Sequence, residues 1–196
     1  ARNAQPFYAS TDAGPIAIAH NGNLVNAIAI RRELERRGAI FSTTADSEVI
    51  VQLLARSREH TPEERLIDAL SRVKGAFSLL TLTNDALIAA RDPSGFRPLS
   101  LGRLDGAWVA ASETCALDLI GATFERDVEP GEMVVIRRGR LRTLRPFKNA
   151  TREAFCIFEY IYFARPDSNL QGGNVYTYRK ELGRLLAREH PAEADL

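Results

Sequence analysis

The sequence has little cysteine and no long apolar run, and both absences narrow the class of protein. Only Cys115 and Cys156 occur in 196 residues, too few for a disulfide framework and without a metal-binding spacing. The longest uncharged stretch, residues 13–30, contains a proline, a histidine and three asparagines, which would lack hydrogen-bond partners in lipid. We therefore expect an intracellular, cytoplasmic protein with no membrane span.

An excess of one charge is also lacking. Lys and Arg number 26 against 25 for Asp and Glu, a net charge of +1, so no general field attracts a polyanion and nucleic acid is not expected as a partner. Hydrophobic residues make up 45% and charged residues 26%, which excludes disordered and low-complexity classes. The length fits one domain, or one domain with a fragment of a second.

The first third of the chain shows helical periodicity. We predict a helix over residues 24–37, closed by Gly38, and a second helix whose apolar face begins at Val49. A third helix begins after Thr61, because a proline follows at the first helical position and Glu64 completes a capping box.

From Gly75 onward, short apolar runs separated by turn residues predict strands. The runs are AFSLLTL, ALIAA, AWVAA and MVVI. Because several of them are apolar at consecutive positions, the sheets must be covered on both faces, by helices or by a second sheet. Helices are also predicted at 113–120 and 176–190. The expected fold class is α+β, a layered sandwich.

The most distinctive local feature is His20-Asn21-Gly22-Asn23, which we interpret as a strand edge followed by a turn. The side-chain amide of Asn21 and the unhindered backbone N–H of Gly22 can converge on one developing oxyanion. The alternative, favoured by spacing alone, is a tight turn that uses Asn and Gly for their tolerance of positive φ. His20 is expected to be a packed, hydrogen-bonded residue rather than a base.

Asp46 precedes the second predicted helix and has two interpretations. It can cap that helix, since a carboxylate there accepts backbone N–H groups and is favoured by the helix dipole. It can instead bind a substrate ammonium through a charge-assisted hydrogen bond. The pattern favours the cap.

Other polar and aromatic clusters have structural interpretations. The loop RDPSGFRPL, residues 91–99, is interpreted as a turn with surface ion pairs of little energetic value, and so is residues 165–167. The aromatic run at 155–163 fits a core strand better than a buried surface between domains. Cys115 is expected on a helix face and Cys156 as a small buried hydrophobe, and neither has a neighbouring His that would activate its thiol.

Eight short segments, spread over nearly the whole chain, form the most specific pattern in the sequence. They are RNAQPF, GPIAIAHNGNLVN, STTADSEVI, KGAFSL, RDPSGFRPLSLG, ASETCAL, EPGEMVVI and CIFEYIYFARPDSN. Together, and in this order, they resemble the amidophosphoribosyltransferase family. That family makes 5-phosphoribosylamine from glutamine and phosphoribosylpyrophosphate, the first committed step of de novo purine biosynthesis. The resemblance implies an N-terminal-nucleophile hydrolase fold, a four-layer αββα sandwich, here incomplete at the N-terminus.

The same resemblance assigns residue roles and domains. It implies that Asn21 and Gly22 form the oxyanion hole and that Asp46 binds the α-ammonium of glutamine. Residues 1–150 would be the class II glutaminase domain, and residues 151–196 the linker and the start of the phosphoribosyltransferase domain. Glutamine, phosphoribosylpyrophosphate and further copies of the subunit are the implied partners.

The chain differs from the family in the residues that carry out the reaction. The family's nucleophile is a mature N-terminal cysteine, whereas this chain begins with Ala1 inside a later motif and lacks the strand that supplies an arginine for the glutamine carboxylate. We expect both ends to be cut and this piece alone to be inactive. Mg²⁺ would belong to the missing phosphoribosyltransferase domain. Cys156 is a candidate ligand for the iron–sulfur cluster of some members, but four thiolates are normally needed, so no cofactor is expected in this piece alone.

Two alternatives stay open. The first is the glutaminase domain of another class II amidotransferase, such as glucosamine-6-phosphate synthase, which would share HNGN and the region of Asp46. The segment EYIYFARPDSN leading into YRKELG argues against it, because it resembles a linker into a phosphoribosyltransferase. The second is a non-catalytic glutamine-binding domain that kept the fold and lost the nucleophile.

Overall fold

The computed structural model describes residues 2–147 and 153–193. Its strands are β1 (Phe7–Thr11), β2 (Gly14–Leu24), β3 (Gly75–Leu82), β4 (Ala86–Arg91), β5 (Ser100–Leu104), β6 (Ala107–Ala111), β7 (Thr123–Asp127), β8 (Met133–Arg137), β9 (Arg140–Leu144), β10 (Asn169–Leu170) and β11 (Gly173–Asn174). Its helices are α1 (Ala27–Arg36), α2 (Ser47–Arg56), α3 (Pro62–Arg72), α4 (Thr114–Leu119) and α5 (Val175–Glu189), with a π-helical turn at Glu159–Phe163.

Two antiparallel sheets stack face to face between helices. The larger sheet has the order β1-β2-β3-β4-β8-β9, and the smaller has the order β6-β5-β7. Helices α1, α2 and α3 pack against one face of the larger sheet, and α4 contacts β6 and β7 on the far side of the smaller sheet. These four layers, α, β, β and α, are the sandwich that the resemblance implies.

Side-chain alternation in the larger sheet builds two cores. In β4 and β8, Ile88 and Val135 face the helices, whereas Ala89 and Val134 face Leu101 of the smaller sheet. Because successive strand residues point to opposite faces, a strand covered on both sides is apolar at consecutive positions. The continuous apolar runs therefore report burial between helices and a second sheet.

The predicted helices are present, with shifted boundaries. The first begins at Ala27 rather than at 24, because Leu24 still belongs to β2, and it ends before Gly38, whose φ is 82°. The capping box between Thr61 and Glu64 is formed as predicted. The helices predicted at 113–120 and 176–190 appear as α4 and α5. The sequence patterns do not predict strands β1, β5, β7, β9, β10 and β11.

The turn predicted at His20-Asn21-Gly22-Asn23 is wrong. These residues lie inside β2 and pair with β3 in continuous register, with Asn21 opposite Ser78 and Gly22 opposite Phe77. The chain turns only after Leu24. Gly22 is not among the glycines with positive φ, so tolerance of that conformation does not explain the glycine.

The surface loop predicted at 91–99 is also wrong. Arg91 is 7% exposed and Asp92 is fully buried. The Asp92 carboxylate accepts the backbone N–H groups of Phe77, Ser94 and Phe96. Burial raises the pKa of Asp92, and these hydrogen bonds oppose the rise. The loop is therefore buried and hydrogen-bonded within the sandwich, and it is not a solvated turn.

Residues 153–193, which we call the C-terminal segment, pack beside the sandwich. The favoured prediction of a core strand at 155–163 is wrong, because this stretch contains the π-helical turn and exposes several of its apolar side chains. The domain boundary predicted at 150/151 lies outside the described residues. No helix within residues 2–147 and 153–193 is long and apolar enough to cross a membrane.

Candidate active site

The end of β2 exposes one edge of its backbone, and this edge organises the site. In a strand, the N–H and C=O groups of residues i and i+2 point to the same side. Ile18 pairs with β1 on that side, and the Gln5 side chain takes the place of a strand at His20, donating to its carbonyl and accepting from its N–H. The same parity turns the Gly22 N–H toward this edge, beyond the reach of β1.

Asp46 contacts the same edge of β2 at Leu24, two residues after Gly22. Its Oδ2 accepts the Leu24 N–H at 2.7 Å, and its side chain is 28% exposed. Although Asp46 occupies the N-cap position of α2, it makes no capping hydrogen bond, so the favoured cap interpretation is wrong. Its carboxylate instead faces the strand edge that carries the Gly22 N–H, with further lone pairs for a cation.

His20 is a packed residue, as predicted, and its Nδ1 lies 3.8 Å from Asp46 Oδ1. Its Nε2 lies 3.3 Å from the carbonyl oxygen of Ala76, and its Nδ1 lies 2.8 Å from Ser47 Oγ. A carbonyl can only accept, so we assign the proton to Nε2. Burial lowers the pKa of His20 and outweighs the opposing attraction of Asp46, which favours a neutral ring that accepts from Ser47.

Only glycine fits at position 22. A Cβ built there would lie 2.1 Å from the Ala76 carbonyl oxygen and 2.6 Å from His20 Nε2. Contacts this short force backbone and ring to move. The residue type is thus set by close packing of β2 on β3 and on His20.

The Asn21 side chain points into the space between the two sheets. Its Oδ1 accepts two hydrogen bonds from Arg97, from Nε at 3.1 Å and from Nη2 at 2.9 Å. A cavity of about 290 Å³ opens beside it, lined by Gln5, Asn21, Ser78, Leu99 and Ser112 among others. Asn21 Nδ2 finds no acceptor among the residues that the structure describes, so it stays available as a donor.

The loop before Asp46 is held from two sides. Glu48 accepts the backbone N–H groups of Ser42 and Thr43, and Asn3 bridges to Thr44 through its side chain. Burial works to raise the pKa of Glu48, but these hydrogen bonds hold it below its usual value. The hydroxyl-rich segment before α2 is therefore a fixed support for Asp46.

The structure places Asn21 and Gly22 at the end of β2 and bonds Asp46 to Leu24 at that same end, and it leaves Cys156 elsewhere. Cys156 lies in the C-terminal segment, where its N–H donates to the Phe96 carbonyl. Cys115 is buried in α4, on the helix predicted for it. Within residues 2–147 and 153–193, no group of three or more His, Cys, Asp or Glu could hold a metal ion. The two separate cysteines supply fewer than the four thiolates that an iron–sulfur cluster normally needs.

Sequence reasoning missed Gln5, Ser47 and Arg97 as parts of the site. Gln5 and Ser47 stood inside segments that carried the family resemblance, so the signal was present without a role attached to it. The sequence pattern predicts a solvated turn at Arg97, but its guanidinium donates to Asn21, 76 positions away in the sequence.

The chain matches a protein family model and several curated relatives. A family model described as a glutamine amidotransferase domain matches residues 1–119. The amidophosphoribosyltransferase of Rhizobium etli is 48% identical over 200 residues, which cover 100% of this chain and 40% of the relative. That of Bacillus subtilis is 47% identical and covers 99% and 41%. The chain thus spans about 40% of the length of these curated relatives.

Solved structures show the same fold. The glutamine phosphoribosylpyrophosphate amidotransferase from B. subtilis, complexed with ADP and GMP, matches with a TM-score of 0.92 and 47% identity, over 99% of this chain and 43% of that chain. A glutamine aminotransferase class-II domain protein from Silicibacter pomeroyi, at 21% identity and a TM-score of 0.54, covers 74% and 70% and resembles this chain in fold alone. The predicted fold class is confirmed, and the chain belongs to the glutamine amidotransferase domain family.

Proposed function

We propose that this chain is the glutaminase part of an amidophosphoribosyltransferase. The observation that supports the proposal is the end of β2, which carries Asn21 and the unpaired edge of Gly22 and whose Leu24 N–H donates to Asp46. Identity of 47–48% to amidophosphoribosyltransferases extends over essentially the whole chain. This supports that family over glucosamine-6-phosphate synthase, the alternative that shares only the glutaminase motifs.

In this proposal the chain supplies binding and charge stabilisation, and the nucleophile comes from outside it. A cysteine thiolate attacks the carboxamide carbon of glutamine, and the carbonyl oxygen becomes an oxyanion that accepts from Asn21 Nδ2 and the Gly22 N–H. The proton that a base removes from the cysteine thiol passes to the amide nitrogen, so the intermediate expels ammonia and leaves a thioester. Water then hydrolyses the thioester to glutamate and the free thiol. Asp46 holds the α-ammonium of glutamine through a charge-assisted hydrogen bond.

The second half-reaction belongs to the part of the protein that follows this chain. There, ammonia displaces pyrophosphate from phosphoribosylpyrophosphate and gives 5-phosphoribosylamine. We infer that Mg²⁺ accompanies the pyrophosphate group, that the enzyme is cytoplasmic and that it assembles from like subunits. The residues 151–196 would form the linker and the first elements of that phosphoribosyltransferase domain.

The test compares two activities of the full-length protein. Glutamate release from glutamine measures the glutaminase, and 5-phosphoribosylamine synthesis from added ammonia bypasses it. Replacing Asn21 with Ala removes one oxyanion donor and should lower glutamine hydrolysis by about 100- to 1000-fold, with ammonia-dependent synthesis retained. Asp46→Asn should act mainly through a raised KM for glutamine, because it weakens ground-state binding.

Asn84→Ala is the matched control, since Asn84 is an exposed asparagine in the turn before β4. It should leave both activities unchanged. Unaltered hydrolysis in Asn21→Ala would remove Asn21 from the oxyanion hole. A full-length protein that binds glutamine but releases no glutamate would favour the non-catalytic alternative. Iron content of the same preparation tests Cys156, whose cluster role remains a hypothesis.

A further inference from the structure

The Asn21 amide has one orientation that its surroundings permit. A guanidinium carries only N–H donors, and Arg97 directs two of them, Nε and Nη2, to Asn21 Oδ1. If the amide were flipped, its NH2 group would face these donors and both hydrogen bonds would be lost. Arg97 therefore fixes Asn21 Oδ1 on its own side and turns Nδ2 away from itself.

The third nitrogen of Arg97 is held by a residue outside the sandwich. Nη1 lies 2.7 Å from Oε1 of Glu159, whose side chain is 1% exposed. The guanidinium carbon, Cζ, also lies 4.6 Å from the ring centroid of Phe163, a cation–π distance. Both partners belong to the π-helical turn of the C-terminal segment, beyond the residues 1–119 that match the amidotransferase model.

Arg91, a neighbouring arginine, has a purely structural role and serves as a comparison for Arg97. Arg91 donates to the backbone carbonyls of Gly95, Arg97 and Val128 and is buried. Its contacts fasten the loop 91–97. Arg97 instead contacts two side chains: it donates two hydrogen bonds to Asn21 in the candidate oxyanion hole and forms an ion pair with Glu159 in the C-terminal segment.

We propose that Arg97 is a positioning residue for glutamine hydrolysis, which orients the Asn21 amide toward the oxyanion and is itself held by Glu159 and Phe163. This inference rests on the proposed function. It assigns a catalytic contribution to the C-terminal segment, because the glutaminase site is aligned only when Glu159 packs against Arg97.

The first experiment measures glutamine hydrolysis by the full-length protein carrying Arg97→Met. Misalignment of one donor should lower kcat by about 10- to 100-fold, while the KM for glutamine changes little. Arg97→Lys should not restore the rate, because one ammonium cannot replace a planar guanidinium that binds Asn21 and Glu159 at once. Arg103→Met is the matched control, since Arg103 stacks on Trp108 in the smaller sheet, and it should leave kcat unchanged.

The second experiment separates positioning from general damage. If Arg97 acts through Asn21, adding Arg97→Met to Asn21→Ala should lower kcat by little beyond Asn21→Ala alone. Glutamate semialdehyde, whose aldehyde forms a tetrahedral adduct with a thiolate, should bind the Arg97→Met variant more weakly by the same factor as kcat. Binding of the product glutamate should not change. Glu159→Gln should give a smaller loss of the same kind.

Multiplied losses in the double variant, or unchanged semialdehyde binding in Arg97→Met, would overturn the positioning role. A large rise in KM with unchanged kcat would overturn it as well. These results differ from failure of the proposed function, in which Asn21→Ala itself retains full hydrolysis. If Arg97→Met also loses ammonia-dependent synthesis through misfolding, Glu159→Gln and Arg97→Lys carry the same tests.

Discussion

The sandwich and the C-terminal segment are ordered by different forces. In the sandwich, one cluster of buried side chains runs from β1 through α1, α2 and α3 to β8. In the C-terminal segment, the buried cluster contains only Tyr160, Ala164, Leu170 and Val175. Burial of apolar area at roughly 25 cal/mol per Å² therefore stabilises the sandwich far more than the segment beside it.

Polar contacts to the sandwich compensate for part of the smaller apolar burial in the C-terminal segment. Glu159 pairs with Arg97, and Glu113 accepts from the Arg165 N–H and the Ser168 hydroxyl. At the same time the segment exposes large apolar side chains. Those between 48% and 77% exposed include Ile157, Phe158, Ile161, Tyr162 and Phe163. The position of the C-terminal segment therefore depends on a few polar contacts, and single substitutions can remove them.

The largest effect is expected at the buried loop of the sandwich. Asp92→Ala removes the acceptor of three backbone N–H groups and a carboxylate beside buried Arg91. We expect a loss of about 3–5 kcal/mol in the free energy of unfolding. Urea unfolding of this chain, followed by the fluorescence of its single tryptophan, Trp108, measures it. Asp118→Ala, at an exposed site on α4, should change the value by less than about 0.5 kcal/mol.

Substitution of two buried leucines, one in each region, tests whether the sandwich and the C-terminal segment unfold independently. Leu79 is fully buried in β3, and Leu170 is 2% exposed in the small cluster of the C-terminal segment. Leu79→Ala should lower the stability seen by Trp108 by about 2–5 kcal/mol, because it leaves a cavity in the main core. Leu170→Ala should leave that transition in place and raise amide hydrogen exchange within residues 153–193. Equal effects on Trp108 would show that the two regions unfold as one unit.

The sequence predicts features that are determined by residues close together in the chain. It does not predict features that depend on contacts between distant residues. The capping box of α3 lies within four residues, and it was found. The extension of β2 through Asn21 is decided by pairing with Ser78, so no local pattern could distinguish it from a turn. The loop containing Asp92 was placed on the surface for the same reason, since its burial depends on an N–H of β3.

The candidate site follows the same rule. The resemblance points to Asn21, Gly22 and Asp46, and in the structure Asn21 and Gly22 lie at the end of β2 to which Asp46 is hydrogen-bonded. What it could not supply was the support around them. Arg97 meets Asn21 from 76 positions away, and the Gln5 side chain replaces a missing strand partner at His20. Such contacts are created only when both sheets and the C-terminal segment have packed.

A smaller effect is expected where the segment meets α4. Glu113→Ala removes the acceptor of the Arg165 N–H and the Ser168 hydroxyl, each worth about 1–3 kcal/mol when the acceptor is charged. Protease sensitivity and amide exchange near residues 165–169 should rise, with the Trp108 transition nearly unchanged. Glu125→Ala, on exposed β7, is the control. Unaltered exchange would mean that α5 and the π-helical turn hold the segment without Glu113.

The smallest effect is a pH dependence that belongs to the sandwich alone. Because burial lowers the pKa of His20 from its usual 6.5, the unfolded chain binds a proton there before the folded chain does. The stability contributed by neutral His20 is therefore complete above pH 6.5 and is lost as the pH falls toward the lower, folded pKa. His20→Gln should flatten the Trp108 unfolding free energy across that window, whereas His60→Gln, at an exposed position, should keep the slope. A slope that survives His20→Gln would assign it to carboxylates whose pKa is lower in the folded chain, such as Glu48, and would leave His20 as a packing residue whose charge state does not affect stability.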